Sequence, residues 1–318
     1  MLAALIALTV LAAVIGVLLL QALARGERTQ LWTTHLRVLV PGLPEELRGW
    51  TLAFLADLHV GRMYVSEQRL LAALESLDPD CLAVGGDYAS RVRRSQEAAI
   101  ALLQRLGRRW PTICTLGNTE YYHNWDVHEL RSRLAQAGVR LLVNERHQEH
   151  RATATVELVG LDDPEEGHVD IEKALAGAAE HPGLRVVVAH SPRIWPELGR
   201  LGAHLVLCGH THGGQVRVPG MEAPVVHVGI SRRLAAGLFR YRGEQGARGR
   251  LERLASHWQI LGTLQGPITA STAHGPLMYI TRGIGATGPR VRLFCPPELV
   301  AIEFQPDEGS ADQEAGDP

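Results

Sequence analysis

The sequence predicts an α/β fold in which buried sheets are covered by helices. From Thr51 onward, short apolar segments alternate with amphipathic segments whose apolar residues recur at helical spacing. The apolar segments are rich in Val, Leu and Ala and lack the alternation of a strand with one face in water, so we expect both faces to be buried. Strands and helices that alternate in this way build sheets flanked by helices.

The individual elements follow from the same patterns. We predict strands over "TLAFLAD", "CLAVGGD" and "TICTLGN", which begin at Thr51, Cys81 and Thr112. A helix follows the first of them with Ser66 as its N-cap, because a serine oxygen can accept a hydrogen bond from a free N–H group of the first turn. The remaining elements are helices over roughly 95–107 and 126–137 and strands over roughly 154–160, 184–190, 203–208, 277–282 and 299–304.

Composition narrows the functional classes. The chain has 318 residues, enough for one large domain or two small ones. Its formal net charge of −2 gives no support for nucleic-acid binding. The 15 histidines favour a metal site, because imidazole is the commonest metal ligand in proteins. The four cysteines lack CxxC spacing, which argues against a zinc knuckle and a disulfide framework and favours a reducing compartment.

Residues 1–25 are predicted to contain a membrane anchor. The only polar side chains before Arg25 in this apolar segment are those of Thr9 and Gln21. A helix of about 23 residues is about 35 Å long, which is enough to cross the hydrocarbon core of a bilayer. The alternatives are a buried core helix or a cleaved signal peptide, which normally has Lys or Arg before a shorter apolar stretch. Since Arg25 and Arg28 follow the segment, the positive-inside rule places the rest of the chain in the cytoplasm.

A segment rich in arginine lies between Leu238 and His257. It carries five arginines among Leu, Phe and Tyr side chains. One interpretation is a helix and loop in solvent. The other is an arm that contacts anionic lipid or substrate phosphates, and a membrane anchor would favour it.

Polar side chains follow five predicted strands, each where the strand ends. The functional crevice of an open α/β sheet lies outside the carboxyl ends of its strands, so these side chains should meet. In D-x-H and H-x-H, side chains two apart in an extended chain point the same way. One histidine at a strand end is more often structural, but a set from five strands points to a shared site. The set is Asp57, His59, Asp87, Asn118, His190, His210 and His212.

The ligand types predict a pair of divalent metal ions. Mixed nitrogen and oxygen ligands suit Mn, Fe or Zn better than Ca or a metal that prefers thiolate, and we favour Mn. The set is too large for one tetrahedral ion. Two ions about 3.5–4 Å apart that share a carboxylate would use all the ligands, and such pairs catalyse in-line displacement at phosphorus.

The order of these motifs resembles the calcineurin-like metallophosphoesterases over roughly residues 35–305. The segments "CGHTHGGQV" and "TRGIGATGPRVRLFCPPELVAIEF" are similar to the membrane-associated bacterial branch. The resemblance implies a four-layer α/β/β/α sandwich, with a single-pass anchor in a bacterial inner membrane. The motifs are D-x-H (Asp57, His59), G-D (Asp87), G-N-x-E (Asn118, Glu120), His190 and G-H-T-H (His210, His212).

The resemblance also assigns a ligand group to each ion. It implies that Asp87 bridges the two ions and that a water acidified by them attacks phosphorus. The first group is Asp57, His59, Asp87 and His212, and the second is Asp87, Asn118, His190 and His210.

Thr119 departs from the family pattern, which usually has G-N-H-[DE] with a histidine that protonates the leaving oxygen. Threonine cannot do so at neutral pH, and loss of a general acid costs roughly 10²–10⁴ in rate for a simple alkyl leaving group. Three explanations are open. The protein is inactive, His123 replaces the acid, or the leaving group is itself a phosphate that needs none.

The third explanation leads to a lipid-linked substrate. Hydrolases of UDP-2,3-diacylglucosamine in lipid A synthesis resemble this family, and one group of them also lacks this histidine. We therefore expect that substrate at the membrane, with a broader phosphodiesterase or phosphatase and a non-catalytic metal-binding scaffold as alternatives. The expected organisation is an anchor over 1–25, a metallophosphoesterase domain over 35–305 with an Arg-rich insertion over 243–276, and a disordered acidic tail over 306–318. The oligomeric state stays open.

Overall fold

The computed structural model describes most of the chain from residue 30 onward. The predicted anchor, apart from Thr9 and Gly16, and the tail beyond Gly309 lie outside the described residues. Within the part that is described, no helix is long and apolar enough to span a membrane. The described residues are 9, 16, 30–90, 93–180, 182–217, 223–224, 226, 231–243, 251–256, 267–288 and 290–309.

Strands of the described residues form two mixed sheets of seven strands each. Numbered in chain order, they are β1 (Trp32–Val40), β2 (Thr51–Leu55), β3 (Cys81–Gly85), β4 (Thr112–Thr115), β5 (Val139–Leu141), β6 (Glu145–Arg151), β7 (Ala154–Gly160), β8 (Leu184–Val188), β9 (Leu205–Cys208), β10 (Gly237–Tyr241), β11 (Leu251–Ser256), β12 (Ile268–Ser271), β13 (Leu277–Ile280) and β14 (Glu298–Pro306). The first sheet has the order β12-β1-β14-β2-β3-β4-β5, and the second has the order β11-β10-β13-β9-β8-β7-β6.

The helices begin at polar caps that the sequence supplies. Ser66 accepts a hydrogen bond from the Arg69 N–H group, as predicted, and Asp126 accepts from the N–H groups of His128 and Glu129. The α-helices are α1 (Glu67–Leu77), α2 (Arg93–Gly107), α3 (Asn118–Tyr122), α4 (Val127–Ala135) and α5 (Ile171–Ala174). Short 3₁₀ helices cover Glu45–Leu47, Pro192–Arg200, His212–Gly214 and Arg232–Leu234.

The inner strands of both sheets are apolar on both faces, which explains the missing alternation in their sequences. In β2, Leu52 and Phe54 belong to the core between the two sheets, whereas Ala53 and Leu55 pack into the core beneath the helices. A third core lies on the outer face of the second sheet, under α5 and the 3₁₀ helix Pro192–Arg200. The predicted four layers are therefore present, but the last of them consists of short helices. Pro196 lies inside the 3₁₀ helix, and a proline there prevents a regular α-helix.

All strands and helices that were predicted from Thr51 onward are present, but the Arg-rich segment is not a helix. Its described part is an antiparallel pair of strands, β10 and β11. Within that pair, Arg242 forms an ion pair with Glu252 at 2.7 Å, and the Arg253 guanidinium lies over the Phe239 ring at 5.4 Å. The helix of the first interpretation is thus wrong for these residues, which form paired strands, and contact with lipid or substrate phosphates stays a prediction.

The predicted insertion over 243–276 contains one edge strand of each sheet, and the residues at the start of the predicted tail, from 306 onward, are ordered. Strand β11 pairs with β10 at the edge of the second sheet, and β12 pairs with β1 at the edge of the first. Residues 244–250 and 257–266 lie outside the described residues. The predicted disordered tail over 306–318 therefore begins too early. Strand β14 extends to Pro306, and the Asp307 N–H group donates to the Val40 carbonyl.

Candidate metal centre

The predicted ligands converge where strands of both sheets end. Strands β2, β3 and β4 are parallel neighbours in the first sheet, and β8 and β9 are parallel neighbours in the second. Loops after parallel strands leave the sheet at one edge, so the polar side chains that follow the five strands meet there. Six of the seven predicted ligands fall into two buried groups that share Asp87.

The first group is Asp57, His59, Asp87 and His212. One ligand atom of each residue lies within 4.8 Å of the others, and all four side chains are buried. The Nε2 atom of His59 lies 3.1 Å from Nε2 of His212 and 3.3 Å from an Asp87 carboxylate oxygen. Nε2 of His212 is 3.8 Å from Oδ1 of Asp57. Nitrogen and oxygen lone pairs therefore face a common point, as the ligands of a metal ion must.

The second group contains Asp87, His190 and His210, and Asn118 lies beside it. The His190 Nε2 atom lies 3.4 Å from Oδ1 of Asp87, 3.1 Å from Nδ1 of His210 and 3.1 Å from Oδ1 of Asn118. On the other side of the ring, Nδ1 of His190 donates to the Gly85 carbonyl at 2.7 Å. Since a carbonyl can only accept, this bond leaves the Nε2 lone pair directed into the group.

The backbone at these ligands is unusual. Non-glycine residues rarely adopt positive φ, yet most of the ligands do, and such strained residues cluster at functional sites. Asn118 and His190 are the two ligands without it. The strained ligands are Asp57 (φ 53°), His59 (φ 41°), Asp87 (φ 56°), His210 (φ 68°) and His212 (φ 52°).

Close approach of the loops requires glycine at position 86. Gly86 has φ +77°, and a Cβ atom there would lie 2.5 Å from the Gly117 backbone nitrogen and 2.9 Å from Nδ1 of His190. A side chain at this position would push apart the two loops that carry Asp87 and Asn118. The G-G-D and G-N sequences are therefore needed for the geometry of the ligands.

The electrostatics of the centre suit a cation. Burial raises the pKa of Asp57 to about 6, although His190 opposes that shift. Burial disfavours a charge on His190 as well, but the carboxylates of Asp87 and Asp57 outweigh it and raise the pKa of His190 to about 9. Burial and the neighbouring His190 lower the pKa of His210 to about 3, so that ring is neutral, as a ligand should be. Two buried carboxylates attract positive charge to this centre. Without a metal the proton on His190 supplies that charge, and a bound ion would displace it, whereas the ring of His210 is already neutral.

Glu120 ties the loops after β3 and β4 together. Its buried carboxylate accepts hydrogen bonds from the backbone N–H groups of Asp87 (2.9 Å), Tyr88 (2.9 Å) and Gly117 (2.8 Å). Burial and the nearby Asp87 raise its pKa to about 7. The glutamate of the G-N-x-E motif thus positions the shared ligand and is not directed at an ion itself.

Thr119 contacts the centre through its backbone. Its N–H group donates to Oδ1 of Asp87 at 3.0 Å, and its hydroxyl group donates to Glu120 at 3.4 Å. His123 caps the C-terminus of α3, where its N–H group donates to the Thr119 carbonyl at 3.0 Å. Residues four apart in a helix lie on the same face, so His123 and Thr119 are neighbours.

The sequence patterns missed a polar loop next to the second group. Glu165 lies 3.7 Å from Nε2 of His210, accepts a hydrogen bond from the Ser191 hydroxyl at 2.8 Å, and forms an ion pair with Arg193 at 3.0 Å. The acidic sequence "LDDPEEG" follows strand β7 at the same edge of the sheet as the ligands. The strand-end rule that located the other ligands could have drawn attention to it.

A two-sheet α/β fold with a shared Asp, His and Asn cluster at its strand ends defines a metal-dependent phosphoesterase centre. Comparison with known proteins gives the same class. The profile of the calcineurin-like phosphoesterases matches residues 51–214, which is more than half of the chain. The chain therefore belongs to that family, as the order of its motifs predicted.

The relatives of the chain carry compatible names. A transmembrane protein with a metallophosphoesterase domain from Danio rerio is 33% identical over 195 residues, which cover 56% of this chain and 43% of that protein. The chain thus matches less than half of that relative's length. Phosphodiesterase YaeI of Escherichia coli is 27% identical over 278 residues, which cover 86% of this chain and 88% of that protein. A Thermus thermophilus SoxB structure overlaps with a TM-score of 0.38 at 13% identity, over 51% of this chain and 48% of that one, and adds nothing to the family assignment.

Proposed function

We propose that the protein hydrolyses a phosphoanhydride bond from which a phosphate monoester leaves. The observation that carries the proposal is the presence of Thr119, in place of a proton donor, beside a ligand set that is otherwise complete. Without a general acid, only a leaving group that is stable as an anion departs readily, and a phosphate monoester is such a group.

The residues of the chain would have two roles in this reaction, to bind the ions and to position the shared ligand. Asp57, His59, Asp87 and His212 would hold one divalent ion, and Asp87, Asn118, His190 and His210 would hold the second, with Mn favoured over Fe and Zn. Such ions, when bound, supply Lewis acidity at the phosphoryl oxygens and acidify water. Glu120 and the Thr119 amide fix the shared carboxylate of Asp87.

The leading substrate is UDP-2,3-diacylglucosamine in lipid A synthesis. Its pyrophosphate bond fits the missing acid, and its acyl chains fit a membrane enzyme. We infer a single-pass protein of a bacterial inner membrane with a cytoplasmic catalytic domain. Support comes from the apolar sequence over 1–25 and from the transmembrane name of the Danio rerio relative. The name of YaeI supports the alternative of a broader phosphodiesterase.

The dependence of rate on the leaving group tests the role of Thr119. With Mn-loaded protein, the rate should fall steeply as the pKa of the leaving group rises, because no residue protonates the departing oxygen. Thr119→His should flatten that dependence. Thr119→Val is the matched control, since it keeps the shape but removes the hydroxyl, and it should leave the slope steep. A flat slope in the natural protein would refute the proposal.

A flat slope would instead favour His123 as a substitute acid, because α3 places it next to Thr119. In that case His123→Ala would make the slope steep. A panel of UDP-2,3-diacylglucosamine, simple diesters and monoesters then decides the substrate class. If metal-loaded protein hydrolyses none of them, including bis-p-nitrophenyl phosphate, the chain is a metal-binding scaffold and the enzymatic proposal fails.

A further inference from the structure

The carboxylate of Glu165 contacts the second ligand group through one oxygen and Arg193, which lines a large cavity, through the other. One oxygen accepts from the Ser191 hydroxyl at 2.8 Å and lies 3.7 Å from Nε2 of His210. The other oxygen lies 3.0 Å from Nη1 of Arg193. Glu165 therefore contacts a predicted metal ligand on one side and a cationic side chain on the other.

The orientation of the His210 ring places one nitrogen toward the ligand group and the other toward Glu165. Nδ1 of His210 lies 3.1 Å from Nε2 of His190, so Nδ1 faces the ligand group and Nε2 faces Glu165. Histidine ligands commonly donate their second ring N–H to a carboxylate, which fixes the ring and makes the ligand nitrogen more basic. Glu165 is the carboxylate that faces Nε2 of His210, at 3.7 Å, which is an ion-pair contact slightly longer than a hydrogen bond.

The loop that carries Glu165 is itself held in place. The buried Asp163 carboxylate accepts from the backbone N–H groups of Glu165 at 3.1 Å and Glu166 at 2.8 Å. The side chain of Glu165 is only 15% exposed. A carboxylate on a fixed turn can orient its neighbours without first paying for its own ordering.

Arg193 contacts the other oxygen of Glu165 and faces a cavity. Its side chain is 47% exposed, and it lines a cavity of about 1230 Å³ together with Pro164 and Trp195. Arginine binds phosphate groups through two parallel hydrogen bonds. An arginine that is fixed by Glu165 next to His210 is suited to hold a second anionic group of the substrate.

We propose that Glu165 is a positioning residue that orients His210 for the second ion and holds Arg193 as a subsite for a second phosphate group of the substrate. The part that concerns Arg193 rests on the proposed phosphoanhydride hydrolysis. The part that concerns His210 does not, because it requires metal binding alone.

Metal titration of the full-length protein, stripped of metal, tests the first part without substrate. Isothermal titration with Mn should show two ions on the natural protein. In Glu165→Ala, the affinity for one ion should fall roughly 10- to 100-fold while the other stays unchanged. Glu165→Gln should lose less, since its amide oxygen can take the same place next to Nε2 of His210. The matched control is Glu166→Gln. In the natural protein Glu166 accepts a hydrogen bond from the Tyr122 hydroxyl at 2.6 Å, and the variant should leave both Mn affinities unchanged.

The titration can overturn the inference in two ways. Two ions of natural affinity in Glu165→Ala would refute it. If the alanine variant loses both ions because the loop is disrupted, Glu165→Gln decides, and natural affinity for both ions in that variant would refute it equally.

Kinetics test the second part. In Arg193→Ala, we expect KM for UDP-2,3-diacylglucosamine to rise roughly tenfold or more, with little change of KM for bis-p-nitrophenyl phosphate, which has no second phosphate. Arg200→Ala is the control, because Arg200 lines the same cavity but pairs with Glu197 at 2.7 Å. An equal change for both substrates would refute the subsite. If the natural protein does not hydrolyse the UDP-linked substrate, the proposed substrate and this subsite both fall, whereas the titration still decides the role of Glu165.

Discussion

Glu298 and Arg282 form a buried ion pair that should make part of the stability depend on pH. The Glu298 carboxylate accepts hydrogen bonds from Nη2 of Arg282 and from its backbone N–H group, both at 2.9 Å, and from the Tyr279 hydroxyl at 2.8 Å. The two charged side chains are 1% and 0% exposed. Glu298 begins β14 of the first sheet, and Arg282 follows β13 of the second, so the pair joins the sheets.

The pKa of Glu298 gives the size of the pH-dependent contribution to the free energy of unfolding. Burial alone would raise it, but Arg282 and the hydrogen bonds outweigh burial and lower the pKa from 4.5 to about 2. One pKa unit corresponds to about 1.4 kcal/mol, so ionisation of this group contributes about 3 kcal/mol at neutral pH. Because the folded pKa lies below the unfolded one, this contribution is complete above pH 4.5 and is lost as the pH falls toward 2.

Glu298→Gln should therefore lower the free energy of unfolding by about 3–5 kcal/mol at pH 7, since it leaves Arg282 buried without a counter-charge. The difference from the natural protein should shrink by about 3 kcal/mol as the pH falls toward 2. Urea unfolding followed by circular dichroism, with EDTA present so that metal loss does not contribute, measures both. Glu303→Gln is the control in the same strand, where the half-exposed pair with Arg37 is worth at most about 1 kcal/mol. A difference that stays constant with pH would refute the reasoning.

Two further predictions concern the metal centre. Gly86→Ala should destabilise the protein by about 1–3 kcal/mol and weaken Mn binding, because the new Cβ would meet the Gly117 backbone. Gly288→Ala is the control, since φ is also positive there but nothing lies within 4 Å, and it should leave Mn binding unchanged. Equal Mn affinities of the two variants in calorimetry would contradict this prediction. Mn at about 100 times its Kd should raise the free energy of unfolding in thermal denaturation by about 2.7 kcal/mol for each ion bound. Asp87→Asn should remove most of that increase, since both ligand groups share Asp87. Equal stabilisation of Asp87→Asn would show that Mn binds elsewhere.

The fold could be predicted where side chains are buried on both faces of a strand. Segments such as Leu184–Val188 are continuously apolar because each face packs into a core. Strand β6 could not be found in this way. Its sequence, "ERHQEHR", is polar, and its strand conformation depends on backbone pairing with β7 at the edge of the sheet. In β1, Leu36, Val38 and Val40 are buried at every second position. Their alternation is also visible in the sequence, but the predicted strands began only at Thr51.

The ligands could be predicted because each is tied to a strand end by sequence position alone. The place of Glu165 after strand β7 was open to the same rule, but its contacts were not, since its partners Ser191 and His210 come from other loops and meet it only after the sheet has formed. The positive φ at the ligands could not be assigned from sequence either, because Asp and His adopt it more often than other non-glycine residues but still in a small minority of cases. Local chemistry thus located the metal centre, whereas tertiary packing determined the groups around it.

The contacts of Thr119 explain how one side chain can change without damage to the centre. What the ligands require from position 119 is its N–H group on Asp87, and any residue except proline supplies that group. Glu120, one residue later, separately holds the backbone of Asp87 and Gly117. The side chain at 119 reaches the ligand geometry only through its 3.4 Å hydrogen bond to Glu120, which also accepts three backbone hydrogen bonds. A change from histidine to threonine there removes a proton donor and leaves both ligand groups in place. If the leaving group needs no proton, as proposed, such a change does not impair the reaction, and the effect of Thr119 should appear in the dependence of rate on the leaving group.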